Sequence, residues 1–328
     1  MSATRVLIST APFAAQDRSS LDLLEKSGIE YILNPVGRRL SEDEMLDLVG
    51  DVQVIVAGTE PITRRVLDRG RDLKLISRVG IGLDNVNLCE ARRRGIAVSY
   101  TPDAPSSAVA ELTLGLLLGL LRSTHISNLQ MRANSWTRFF GQSVEDIAVG
   151  IIGAGRIGSR VIELLNGIGV TDIAVCDPER QHRGLEIAYG RWTTHEDIYQ
   201  TCDAISLHVP MNPLNRGMVG YRELSMMKRN ALLINTARGG IVDEHALVES
   251  LDAGMLGGVA LDVFEREPYQ GPLIGYDRVM LTAHLGSMTQ RSRNRMEIEA
   301  CQDVVRFLSG EALEGRVPDE EYEFCADR

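Results

Sequence analysis

Short apolar runs bounded by charged or turn residues recur along the first hundred positions. Arg5–Ser9, Glu30–Leu33, Val52–Ala57, Leu73–Ser77 and Ile96–Ser99 are predicted strands. Between them Asp17–Lys26, Glu42–Val49, Thr63–Arg69 and Val86–Arg94 place apolar residues at helical spacing. A long helical pattern, about Ser106 to Asn134, predicts one connecting helix. The alternation then restarts at Ile147–Ile152 and continues through strands at Ile173–Cys176, Ala204–Val209, Ala231–Asn235, Gly258–Leu261 and Val279–Leu281. A last helix, about Thr289 to Leu308, follows all the strands and is expected to return to the first set. The pattern predicts an α/β protein of two doubly wound parallel-sheet domains. Residues 1–100 and 288–328 form a discontinuous outer domain, and residues 101–287 an inserted one, with ligands outside the carboxyl ends of the strands.

The inserted domain opens on Val149-Gly150-Ile151-Ile152-Gly153-Ala154-Gly155-Arg156-Ile157-Gly158, which holds a G-x-G-x-x-G spacing. A strand precedes it, an amphipathic helix (Arg160–Ile168) follows it, and Asp177 ends the next strand. Gly153 suits a tight turn, Gly155 a backbone that must approach a pyrophosphate, and Gly158 close helix–strand packing. Asp177 is placed to accept hydrogen bonds from an adenosine ribose, and its charge opposes a 2′-phosphate. These features predict a Rossmann cofactor domain that binds NAD rather than NADP, inserted in a flavodoxin-like substrate domain. Arg180 works slightly against that preference.

Charge and cysteine usage narrow the partners. The formal net charge is −10 over 328 residues, which disfavours a nucleic-acid or anionic-membrane partner. The longest apolar run, Leu112–Leu121, is too short to span a bilayer. The N-terminus lacks the layout of a signal peptide. Five widely spaced cysteines (Cys89, Cys176, Cys202, Cys301, Cys325) show no C-x-x-C spacing and form no metal pattern with the six histidines. They are expected to be free thiols in a reducing cytoplasm, and no metal site is expected. The acidic tail Asp319–Arg328 is expected to fray.

Three polar residues stand at predicted strand ends: Arg238, Glu267 and His284. Oxidising an alcohol by hydride removal requires a base for the hydroxyl proton, and a histidine titrates near neutrality. A neighbouring carboxylate orients the ring and stabilises the imidazolium. An arginine fork holds a carboxylate through two parallel hydrogen bonds. Each has a plainer alternative: a histidine bonded at a strand end, a solvated loop acid, a turn residue before two glycines. His208, also at a strand end, suits packing or an adenine-side position better than chemistry.

With these residues in view, the chain closely resembles the D-isomer-specific 2-hydroxyacid dehydrogenases, within them the phosphoglycerate dehydrogenase-like group. The resemblance runs over almost the whole length. It rests on Arg78-Val79-Gly80-Ile81-Gly82-Leu83-Asp84-Asn85-Val86, Ala108-Val109-Ala110-Glu111-Leu112-Thr113, Gly150 to Gly158, His208-Val209-Pro210, Asn235 to Asp243, Leu261 to Pro268 and His284-Leu285-Gly286-Ser287. It implies that Arg238 anchors and polarises a 2-oxo acid, with His284 as acid/base and Glu267 as its partner. It puts the backbone at Val79 and Gly80 against the substrate carboxylate, Thr236, Asp262 and Gly286 near the nicotinamide, and Arg156 and Ile157 near the pyrophosphate. His208, Val209 and Pro210 count with the cofactor residues. It also implies a homodimer joined through the cofactor domain and the long helix.

Two departures bear on the substrate. Ala57 and Gly58 stand where many phosphoglycerate dehydrogenases have an Arg-Ser pair, and Pro105 where many members have asparagine. Phosphohydroxypyruvate, a phosphonate analogue, glyoxylate or hydroxypyruvate, and a longer specialised acid all remain open, and Glu60 could favour an amine or several hydroxyls on the substrate. Formate oxidation is disfavoured, because formate dehydrogenases pair the histidine with glutamine. The alternative function is an NADH-sensing binding protein like the corepressors of this superfamily. No serine-sensing module is expected after residue 328.

Overall fold

The computed structural model describes residues 5–182 and 189–325. It has two compact units, one formed by the chain up to Pro105 and from Ser287 onward, the other by Ser106–Gly286. In the first unit β1 (Arg5–Ile8), α1 (Ser19–Lys26), β2 (Glu30–Leu33), α2 (Glu42–Leu48), β3 (Val54–Ala57), α3 (Arg64–Arg69), β4 (Leu75–Arg78), α4 (Leu88–Arg93) and β5 (Ala97–Tyr100) alternate along the chain. The strands lie in the order β2-β1-β3-β4-β5, all parallel. Every residue of β3 and β4 is buried, because helices cover both faces of the sheet. That explains why β3 reads as a continuous apolar run without alternation, while β4 buries Ser77 and Arg78 at its carboxyl end.

The second unit contains α5 (Ser106–Leu121), α6 (Thr124–Arg132), β6 (Ala148–Ile152), α7 (Arg156–Gly167), β7 (Asp172–Cys176), α8 (Pro178–His182), β8 (Arg191–Trp192), α9 (His195–Thr201), β9 (Ala204–Leu207), α10 (Tyr221–Met226), β10 (Ala231–Asn235), α11 (Glu244–Asp252), β11 (Leu256–Leu261) and β12 (Val279–Leu281). Its seven strands run β12-β11-β10-β9-β6-β7-β8, all parallel. The chain winds outward from β6 to β8, then restarts beside β6 at β9. Ligands of doubly wound sheets bind at the carboxyl ends of strands beside such a reversal. The last helix, α12 (Gln290–Leu308), belongs to the first unit, where Met296, Ala300 and Val304 pack on Val6, Ile8 and Val54.

Three expectations are corrected. The single helix from Ser106 to Asn134 is two helices bent by 67°, with Ser123 in the left-handed region at φ 50°. The apolar run ends at Leu121, whose carbonyl accepts from the Gln142 amide at 3.1 Å instead of continuing the helix. The described part of the acidic tail is ordered: Asp319–Cys325 is a 3₁₀ helix, and residues 326–328 lie outside the described residues. Nor are all five cysteines free: Cys89 and Cys325 form a disulfide, while Cys176, Cys202 and Cys301 are buried thiols. Among the described residues no single helix is long and apolar enough to cross a membrane.

Candidate active site

The turn between β6 and α7 has the geometry a dinucleotide requires. Gly153 sits at φ +94°, and a Cβ there would lie 2.5 Å from the His208 carbonyl oxygen. A Cβ on Gly158 would lie 1.9 Å from the Gly153 carbonyl oxygen, so only glycine lets α7 start this close to the turn. Gly155 differs: a Cβ there would meet nothing within 4 Å. Its missing side chain therefore leaves open space over the backbone. Gly155 is also the N-cap of α7 and supplies no side-chain acceptor. The first-turn N–H groups, with the positive end of the helix dipole, suit a phosphate there. Arg156 is exposed on this first turn, and Ile157 packs on the core beneath it.

Asp177, just beyond β7, braces the same turn. Its Oδ2 accepts from the Ala154 amide at 2.9 Å, and its Oδ1 from the Arg180 amide at 3.1 Å. The Arg180 guanidinium donates to the Ala154 carbonyl at 2.5 Å. Beyond β9, His208 shares a 2.9 Å hydrogen bond between Nε2 and Ser206 Oγ, while its Nδ1 is buried without a partner. Burial pushes this imidazole down to about 3, so it is neutral at physiological pH and supplies no proton. Val209 and Pro210 continue the strand end, the Val209 side chain lying close to Gly153. An open cradle, an uncapped helix start and an unsatisfied buried nitrogen beside the turn together fit a dinucleotide.

Arg238, Glu267 and His284 all belong to the second unit, on the loops that leave β10, β11 and β12. Asn235, the last residue of β10, shapes the first loop: its Oδ1 accepts from the Ala237 amide at 3.0 Å and its Nδ2 donates to the Arg238 carbonyl at 2.9 Å. Arg238 Nη1 donates to the Ala237 carbonyl at 2.7 Å. The next residue, Gly239, presses on the β11 loop, since a Cβ there would lie 1.9 Å from Phe264 O and 2.6 Å from Glu265 N. The Arg238 loop therefore rests directly on the loop that carries Glu267.

Glu267 in turn holds His284. The His284 Nδ1 lies 2.9 Å from Glu267 Oε2 and 3.2 Å from Oε1, while Oε1 also accepts from the Phe264 amide at 3.2 Å. A carboxylate can only accept, so the proton of the neutral imidazole resides on Nδ1 and Nε2 is the free acid/base position. His284 adopts φ +53°, unusual for a residue other than glycine. Such a conformation costs about 1–3 kcal/mol and persists only where its surroundings over-determine it.

Asp262 supplies that determination. It is 1% exposed, and its carboxylate accepts from Thr282 Oγ1 at 2.6 Å, Leu285 N at 2.7 Å and Gly286 N at 2.8 Å, while its carbonyl accepts from His284 N at 2.9 Å. Asp262 is thus a brace for the His284 loop. Thr236 is buried, its Oγ1 2.8 Å from that of Thr113. Thr113 donates to the Val109 carbonyl at 2.8 Å, so Thr236 is the donor between the two hydroxyls. Asn235, Gly239, Thr113 and Thr282 are site residues that the sequence reading missed. Thr113, Asn235 and Gly239 stand within the motifs quoted for the resemblance but were given no role there, and Thr282 stands outside them.

Val79 and Gly80 lie in the first unit, at the end of β4. The Val79 amide donates to the Ala57 carbonyl at 2.8 Å, and the Gly80 amide to Thr101 Oγ1 at 2.8 Å. Both N–H groups are engaged within the unit. Glu60, expected to read a substrate tail, is 1% exposed and accepts from the Ser9 hydroxyl and, at 2.7 Å, from the Gly58 amide.

Comparison with known proteins adds a family. The profile of the D-isomer specific 2-hydroxyacid dehydrogenase, NAD binding domain, matches residues 114–286. A D-3-phosphoglycerate dehydrogenase of Methanocaldococcus jannaschii is 35% identical, over 86% of this chain and 55% of its own length. The chain therefore spans little more than half of that relative. A hydroxypyruvate reductase of Thermotoga maritima is 31% identical, over 88% of this chain and 96% of its own length. Among solved structures, a protein of Thermus thermophilus superposes with a TM-score of 0.85 at 31% identity, covering 96% of this chain and 100% of that one.

Proposed function

The chain belongs to the D-isomer-specific 2-hydroxyacid dehydrogenases, with an NAD-binding domain in its second unit, and we propose that it interconverts a D-2-hydroxy acid and its 2-oxo acid. The observation that supports this most directly is the paired contact of His284 Nδ1 with the Glu267 carboxylate, on a loop against which the Arg238 turn is packed. The chemistry a bound nicotinamide supplies is hydride transfer to or from the carbon bearing the oxygen. Gly153, Gly155, Arg156, Ile157, Gly158 and Asp177 hold the dinucleotide, with His208, Val209, Pro210, Thr236, Asp262 and Gly286 completing its surroundings. In the reducing direction His284 delivers a proton from Nε2 to the substrate oxygen, and Glu267 stabilises the imidazolium before transfer. Arg238 holds the oxo acid and stabilises negative charge developing on the oxygen. In the oxidising direction the same nitrogen takes the hydroxyl proton.

The two curated relatives are named for different substrates, so the tail of the acid is a separate inference. Ala57-Gly58-Thr59-Glu60 carries no basic side chain. We favour an acid without a phosphate, of the glyoxylate or hydroxypyruvate kind. A panel of pyruvate, glyoxylate, hydroxypyruvate and phosphohydroxypyruvate, followed by nicotinamide absorbance with NADH and with NADPH, tests both points. NADH consumption is expected with at least one unphosphorylated acid. NADH should exceed NADPH in kcat/KM by about ten-fold or more, because Asp177 repels a 2′-phosphate. No consumption with any acid would leave the sensor alternative standing.

We further propose that the protein is a homodimer joined through the segment after α5. Helix α6 buries none of its residues, and beyond it Trp136 is 77% and Phe140 fully exposed. Large apolar side chains grouped in one exposed segment mark an interaction surface. Light scattering should give the mass of two chains for the native protein and of one for the Trp136→Ser, Phe140→Ser double variant. An unchanged mass in that variant would overturn this interface.

A further inference from the structure

The first unit holds a cavity of about 430 Å³ away from the carboxyl ends of its strands. It lies between the edge strand β5, the end of α12 and the segment that returns from α12. That segment completes the edge: Gly315 O accepts from Tyr100 N at 2.8 Å, and Val317 N donates to Val98 O at 3.1 Å. Ile96, Val98, Leu313 and Val317 make the apolar walls. Asp319 and Tyr322, on the final 3₁₀ helix, close one side. The Cys89–Cys325 disulfide ties that helix to α4.

The polar groups of the cavity are unbalanced. Arg92 lies over the Tyr322 ring, 4.3 Å from its centroid, and pairs with Asp319, which is 80% exposed. The Arg316 side chain also lines the cavity and makes no hydrogen bond or ion pair among the described residues. Burial pushes the Tyr322 phenol up; Arg92 and Arg316, which both line the cavity, oppose that push, and Asp319 adds to it. Two arginines thus line a mostly apolar cavity together with one exposed carboxylate, in a protein whose net charge is −10. A volume of this size, with mostly apolar walls and a few convergent polar groups, is the usual form of a small-molecule site.

We propose that this cavity is a second ligand site, which takes a small aromatic carboxylate. Its ring lies against the Ile96, Val98 and Leu313 walls, and its carboxylate pairs with Arg316 and the edge of Arg92. The site is independent of the hydride-transfer reading and uses none of its residues.

The test is calorimetric titration of the intact protein, in the presence of NAD, with 3-phenylpropionate and with its neutral amide. Binding of the acid is expected to be at least about ten-fold tighter than that of the amide, because a charge-assisted pair is lost in the latter. Arg316→Ala and Arg316→Glu should weaken the acid by a similar factor or more, with KM for the 2-oxo acid unchanged. His284→Gln should bind it as the native protein does. No binding of the acid at millimolar concentration, equal binding of acid and amide, or full binding in the folded Arg316 variants would each overturn the proposal.

Discussion

Replacing His284 with glutamine is expected to lower kcat by roughly 10²- to 10⁴-fold, the usual contribution of a positioned general acid–base, while NADH still binds. Glutamine keeps a polar side chain near Glu267 but cannot exchange a proton at neutral pH. The cofactor turn at Gly153–Gly158 is built on other loops and has no hydrogen bond to His284 in its own bracing set. The backbone at 284 adds a complication, because φ +53° disfavours glutamine more than asparagine or histidine. His284→Asn separates the two effects: it accepts the backbone conformation better and likewise lacks a titratable nitrogen. Both variants should therefore fall together in turnover. NADH fluorescence titration should place their affinity within a few-fold of the native protein. Near-native turnover in either, with a substrate found by the panel, would falsify the assignment of His284 as the acid/base.

The same residue illustrates what was legible in the chain. His284, Glu267 and Arg238 were readable as polar groups at strand ends because β10, β11 and β12 are short apolar runs with sharp polar boundaries. Their convergence was not readable, since it depends on β10, β11 and β12 lying side by side. Nor was the bracing role of Asp262, whose partners lie 20 to 24 residues along the chain. The β3 and β10 strands were legible for the same reason as the fold class: buried parallel strands are apolar throughout.

Several short helices escaped notice although their caps were present. The Thr194 side chain accepts from Asp197 N, and Asp243 accepts from His245 N and Ala246 N. The break at Ser123 had no local signal, because residues 124–132 keep a helical pattern and only the distant Gln142 amide claims the Leu121 carbonyl. The Cys89–Cys325 pairing spans 236 residues and follows from the return of α12 to the first sheet, which spacing alone could not reveal.

Gly239→Ala is expected to reduce kcat/KM by about 100-fold or more, since displacements near 1 Å are enough for such losses, without touching any charged or titratable group. The added methyl would lie 1.9 Å from Phe264 O, 2.0 Å from Phe264 C and 2.6 Å from Glu265 N. All three are backbone atoms, so no side chain can swing aside. Ordinary contact between such atoms is about 3.5–4.0 Å, so the two loops must part by more than an ångström. Arg238 precedes the substituted residue and Glu267 follows the displaced segment, so the guanidinium and the carboxylate that orients His284 separate together. Overpacking of this kind also costs about 1–3 kcal/mol of stability, visible as a lowered Tm. The decisive comparison is between cofactor and chemistry. NADH affinity should stay within a few-fold, because Gly153, Gly155 and Gly158 lie on the β6–α7 turn, while kcat falls. A variant that keeps native kcat would show that the Arg238 and Glu267 loops need not touch. One that loses NADH affinity in proportion would show that the substitution acts on the whole second unit rather than on these two loops.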